Sequence, residues 1–319
     1  MARRTVCALM GAGLHGLNGI CPPTSMKIIK IYVIPRLIYG LECLTLTKKE
    51  LQPIETYYKD LIRKILHLPS STANAACYML VGALPIEALI HIKVLNLFGA
   101  IASRDGSLEF QLYERQLAMK GSNSHSWAIY AKKLLERYQL PKPSELLYSM
   151  HYQETWKKQV KEQVEKAWTT QLQEIASEKS TLKYVKLSAC CSAECHPVWS
   201  TNTSDPIVVH KAMIHAKLLV QRYPLRTSHM TSSKTTTCPC CGEMEETLKH
   251  FAIECTALQR IRAPHLADIG DKLQEIGVDR NTENILSVAL DPRHYTEDET
   301  AINGFIAIAR NMFYSLHRA

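Results

Sequence analysis

The chain has no apolar run both long enough and clean enough to span a bilayer. Its most apolar stretch, Ile28 to Leu44, carries Lys30, Arg36 and Glu42 within it. Charges at those depths argue against a membrane span and favour a buried helix pair that Pro35 kinks or divides. No segment reads as a multi-stranded sheet, and no heptad is sustained, so a mainly α fold without a coiled coil is expected. No nucleophile–base pairing is identifiable and the scattered His and Asp residues follow no catalytic pattern, so an enzyme with its own active site is not expected. Acidic residues are the minority, 30 against 38 Lys and Arg, giving a net charge of +8 and a pI near 8.9. That balance leans toward an anionic partner such as nucleic acid, although many of the basic residues belong on solvated helix faces.

At 319 residues and 46% hydrophobic, the chain can bury at least one sizeable core. It is rich in cysteine (11) and histidine (13). A disulfide scaffold belongs to small secreted domains, so a reducing, intracellular compartment, nuclear or cytoplasmic, is expected. Cys7, Cys21, Cys43 and Cys77 lie in apolar patterns and are expected to be buried free thiols. Arg3 and Arg4 precede an apolar run, but His15 and Asn18 interrupt it and no small-residue cleavage site follows, so secretion is not expected. The literal G-x-G-x-x-G at Gly11–Gly16 runs into Pro22 and Pro23 with no acidic residue about twenty positions on. Its glycines read as loop punctuation.

The stretch CPCCGEMEETLKHFAIECTALQRIR organises the rest. Cys238, Cys241, His250 and Cys255 form C-x2-C-x8-H-x4-C. Two cysteines three apart grip one ion from a tight knuckle, and Gly242 supplies the left-handed turn that follows. His250 and Cys255 arrive on a short stretch of helical character. Three thiolates and one imidazole fill a tetrahedral shell, which suits a structural Zn²⁺ with no position left for water. Cys240 competes with Cys241 for the second place; a C-x-C bite is tighter and less usual, so Cys241 is the expected ligand. Arg222, Arg226, His229 and Lys234 approach this finger and Arg260 and Arg262 leave it. They are candidate phosphate contacts for RNA or DNA; the alternative is solvated loop charge. Cys190, Cys191, Cys195 and His196 invite a second metal site, but the adjacent pairs Cys190–Cys191 and Cys195–His196 are poorly placed to share one ion.

Elsewhere the spacing is helical. Ile54, Tyr57, Tyr58, Leu61, Ile62 and Ile65 share one face, with a start expected near residue 52 so that Pro53 falls in the first turn. That placement sets aside a Thr47–Glu50 capping box. A further helix starts near Pro85, shorter ones fall between breaks at Gly106, Gly121 and Pro141–Pro143, and one long helix runs from Gln153 to Ser180. Another follows from Pro206 to Tyr223. A last helix is capped by Thr296 and Glu299, with Ile302, Phe305, Ile306, Ala309, Met312, Phe313 and Leu316 facing a core.

With these pieces placed, the chain resembles the C-terminal part of a non-LTR (LINE-type, jockey-like) retrotransposon reverse transcriptase. The likeness rests on ARRTVCALMGAGLHGLNG, IIKIYVIPRLIYGLECLTLTKKELQPIE, TANAACYMLVGALPIEALIH, the finger itself, and TLKYVKL, HPVW and HAKLLVQRYPLRT before it. It implies a remnant of the upstream polymerase over 1–23, a helical thumb-like bundle over 24–105 and a helical connector over 106–180. A zinc-binding domain over 181–265 and C-terminal helices over 266–319 complete it. In such enzymes palm aspartates, in an F/Y-x-D-D turn, hold the catalytic magnesium. No Asp-Asp pair occurs here, and fingers and palm are expected to lie upstream of Met1, so a non-catalytic fragment is implied. The other expectation is a zinc-stabilised helical scaffold for protein interactions, without nucleic-acid binding.

Overall fold

The computed structural model describes residues 2–14, 20–149, 153–190, 194–200, 205–228 and 235–319. The fold is mainly helical, and no strand occurs among the described residues. In chain order the helices are α1 (Ala2–Gly11), α2 (Pro22–Tyr32), α3 (Ile34–Leu37), α4 (Lys48–Leu66), α5 (Asn74–Leu80), α6 (Ile86–Ala102) and α7 (Leu108–Met119). There follow α8 (Trp127–Arg137), α9 (Pro143–Ser149), α10 (Gln153–Ser177), α11 (Pro206–Leu219), α12 (Gln259–Glu275), α13 (Thr282–Leu290) and α14 (Glu299–Arg318). Pro35 sits at the start of α3 and so divides the apolar stretch, as its missing N–H and fixed φ require. No helix among the described residues is long and apolar enough to cross a membrane.

Two compact units emerge. The first comprises residues 1–6, 29–59 and 83–172. Its centre is α6, apolar nearly all round, with Ile86, Ile90, Val94, Leu95 and Phe98 buried; α7, α8 and α9 pack around it. Tryptophans tie this unit through their ring N–H groups. Trp156 donates to Leu95 O at 2.9 Å, Trp127 to Glu42 O at 2.8 Å and Trp168 to the Tyr138 hydroxyl at 2.9 Å.

The second unit comprises residues 7–28, 60–82 and 173–319. Helices α11, α12 and α13 pack on α14, whose expected core face is buried at every one of its seven positions. Asp291, fully buried, joins segments far apart in sequence. Its carboxylate accepts from the Lys186 amide (2.9 Å), from His196 Nε2 (3.2 Å) and from Arg293 Nε (2.9 Å). Gly82, at φ +55°, has no room for a side chain, since a Cβ there would run into the Glu194 backbone.

Three local expectations need correction. Helix α4 begins at Lys48, four residues before the expected start, because the capping box does form. Thr47 N donates to Glu50 Oε2 at 2.8 Å and Glu50 N to Thr47 Oγ1 at 3.4 Å, while Pro53 is accommodated inside the helix. The cap of α14 is Asp298, which accepts from Ala301 N at 2.7 Å; Thr296 accepts from Asp298 N and stands outside the helix. Of the four cysteines expected to be buried, only Cys77 is; Cys7 and Cys43 are exposed and Cys21 is half-buried.

Candidate metal centre

The finger begins as a two-sided turn. Thr237 and Glu245 form an antiparallel bridge, Cys238 N donates to Met244 O (2.7 Å) and Glu246 N to Thr236 O (2.8 Å). Between them Gly242 N returns to Cys238 O (2.9 Å), and Gly242 takes φ +72°, a region closed to most side chains. This reversal brings the Cys238 and Cys241 sulfurs together. The backbone amides of Glu243 and Met244 hydrogen-bond the Cys241 sulfur and hold its thiol down to about 6, as a donor to the charged form does.

His250 and Cys255 come from the next turn, and their placement depends on an unusual helix. In an α-helix at 3.6 residues per turn, a side chain five residues on lies about 140° around the axis. Here residues His250–Glu254 form a π-turn, closed by Cys255 N donating to His250 O at 2.8 Å. The wider turn, followed by extended Cys255 (φ −56°, ψ 118°), brings both side chains to one side. Thr247 Oγ1 caps the turn by accepting from His250 N at 3.1 Å. Helix α12 follows, and buried Arg262 in its first turns donates through Nη2 to the carbonyl oxygen of Cys255.

The four ligand atoms all lie within 4.8 Å of one another. Cys238 Sγ and Cys255 Sγ are 3.8 Å apart, and Cys241 Sγ and His250 Nε2 are 3.4 Å apart. A tetrahedral ion with metal–sulfur bonds of about 2.3 Å and metal–nitrogen bonds of about 2.0–2.1 Å sets S···S near 3.8 Å and S···N near 3.5 Å. The residues therefore fit a divalent ion. Cys238, His250 and Cys255 are buried and Cys241 is half-buried, so solvent reaches the cluster only at the Cys241 side. Burial, with the Cys238 and Cys241 sulfurs adding to it, pushes the Cys255 thiol up to about 11, so seating a cation here displaces protons. Cys240 is exposed and outside the cluster, so the sulfur chosen is that of Cys241.

No protein-family model, curated protein or solved structure matches the chain.

The basic flanks divide. Arg260 is exposed. Arg226 is half-buried and its guanidinium reaches Thr235 Oγ1 (3.2 Å) and Thr237 O (3.3 Å), clasping the knuckle. Its own amide donates to buried Glu246 at 2.7 Å. Arg222 is half-buried. Arg262, expected on the phosphate-facing surface, is 3% exposed and turned inward, because its charge is used on the Cys255 carbonyl. Lys234, with His229, lies outside the described residues.

At the second cysteine cluster Cys191 lies outside the described residues. His196 has both ring nitrogens engaged: Nδ1 accepts from Val198 N at 3.0 Å, and Nε2 meets Asp291. Asp291 is held well below the usual carboxylate range by His196 and Arg293, against the opposing effect of its burial. The group reads as an anchor for the segment before α11, a role that adjacent cysteines in the sequence did not signal.

Proposed function

We propose that Cys238, Cys241, His250 and Cys255 hold one structural Zn²⁺, and that this centre supports a helical module binding single-stranded RNA or DNA through its backbone. The observation that carries the reading is the cluster itself: three sulfurs and one imidazole nitrogen at tetrahedral spacing, mostly buried. A zinc ion there would tie the knuckle to the π-turn and so to α12. The position has no vacant ligand place, which favours a structural over a catalytic role. Exposed Arg260, with Arg222 and Arg226 on the preceding loop, supplies the phosphate-contacting charge, in keeping with a net charge of +8.

The same reading takes the chain as the non-catalytic C-terminal portion of a non-LTR reverse transcriptase, on the sequence resemblance described above. The competing reading is a zinc-stabilised scaffold for protein contacts. Fluorescence anisotropy with a labelled single-stranded RNA separates them. Nucleic-acid binding predicts an affinity that falls steeply with salt and drops at least severalfold in the R222E/R260E double variant, with its zinc retained. An affinity indifferent to both salt and the double variant favours the scaffold.

A further inference from the structure

The first unit holds a cleft of about 540 Å³, within the size range of small-molecule sites, whose residues belong to no part of the metal centre. Three helices line it. From α8 it takes Tyr130, Lys133, Leu134 and Arg137, spaced as one helix face; α6 adds Glu87, Ile90 and His91. From α4 come Lys48, Leu51, Gln52 and Glu55. Leu46, Leu51 and the Tyr130 ring, all half-buried, make the apolar surface over buried Ile90 and Leu134.

Its polar groups are unevenly committed. Trp168 Nε1–H donates to the Tyr138 hydroxyl at 2.9 Å, which leaves the phenol hydrogen free for His91 Nδ1 at 2.6 Å. With the phenol as donor, Nδ1 accepts and the His91 proton sits on Nε2. On that side Glu87 Oε1 stands 3.7 Å away, beyond hydrogen-bond reach and already bound by Arg137 at 3.2 Å. His91 is 3% exposed, so a buried N–H donor on the cleft wall lacks a full partner. Burial keeps the imidazole neutral across the physiological range. The two carboxylates are occupied, Glu87 by Arg137 and Glu55 by the Ile86 amide at 3.1 Å. Lys48 and Lys133 on the rim are exposed and enter no ion pair among the described residues.

An apolar surface, one neutral buried donor and two uncommitted ammonium groups select a particular chemistry. We propose that this cleft binds a planar aromatic anion, an aryl carboxylate or a nucleoside monophosphate. Its rings lie on Leu46, Leu51 and Tyr130, its anionic group at Lys48 and Lys133, and an acceptor atom on His91 Nε2–H.

Isothermal titration calorimetry on the full zinc-loaded chain tests this with 1-naphthoate and AMP as probes, and 1-naphthylmethanol and adenosine as their uncharged counterparts. At least one anion is expected to bind, at least tenfold tighter than its uncharged counterpart. The K48E/K133E double variant is expected to weaken it at least tenfold with the melting temperature unchanged. Binding of naphthoate alone assigns an aryl acid, and of AMP alone a nucleotide; either supports the site. No binding of either anion at millimolar concentration overturns it. So does equal affinity for the uncharged counterpart, or affinity unchanged in K48E/K133E. Because those lysines are exposed, their exchange tests the site without the folding risk of replacing His91.

Discussion

Arg262 donates to the carbonyl oxygen of Cys255 from a buried position, so it acts on the metal site through the backbone of one ligand. R262A is expected to lower stability by about 1.5–3 kcal/mol in a denaturant titration, the range for losing a charge-assisted bond, whereas R260E leaves the midpoint unchanged and weakens RNA binding. The two neighbouring thiols should also part company. C240S retains one zinc per chain by metal analysis, and C241S loses it, because only Cys241 sits in the cluster. The clustering of the four side chains was legible in the sequence because they lie within one short segment and their spacing is local chemistry. Arg262 was not, since its direction is set by how α12 meets the π-turn, which composition cannot reveal. His91 and His215 add a pH dependence. Burial holds both down to about 3, so they are neutral in the fold but protonate near 6.5 once unfolded. Their contribution is full above pH 6.5 and is lost as pH falls toward 3, by at most roughly 2–3 kcal/mol per histidine at pH 4.5. A denaturant midpoint followed from pH 7 to 4.5 should therefore fall, less steeply in H91Q than in the parent.

Among the elements, the π-turn over His250–Glu254 has the most direct consequence. Removing Ile253 leaves all four ligands in the chain but shifts Cys255 by one residue. The expected result is loss of zinc at a concentration that saturates the parent; full retention would show that the wide turn is dispensable. Helix ends were read less well than helix faces. The apolar face of α14 follows from spacing alone and is buried throughout; on α4 Tyr58, Leu61, Ile62 and Ile65 are buried, and Ile54 and Tyr57 are half-buried. The caps turned on choosing between nearby polar residues. Pro53 argued for a late start to α4, yet the reciprocal Thr47–Glu50 bonds form and the proline is tolerated. At α14 Asp298 lies closer to the first turn than Thr296 and takes the amide. Exchanging Asp298 for Ala should cost about 1 kcal/mol, and exchanging Thr296 markedly less, by thermal melting.

At the scale of the whole chain, residues 60–82 belong to the same compact unit as residues 173–319, while the intervening 83–172 contribute to the other. The pairing rests on contacts such as His196 N to Leu80 O at 3.0 Å, over more than a hundred residues, which no local pattern announces. The mainly α class was legible because helical spacing recurs throughout and no strand pattern competes with it. If Arg222, Arg226 and Arg260 all meet phosphates, log affinity for single-stranded RNA should fall with log salt at a slope of roughly −2. The central claim is nevertheless the ion, and X-ray absorption at the zinc edge of the purified full-length chain reads it directly. The account predicts one zinc per chain with three sulfur neighbours at about 2.3 Å and one nitrogen at about 2.0–2.1 Å. A zinc-free chain, or a zinc surrounded mainly by oxygen, would contradict it.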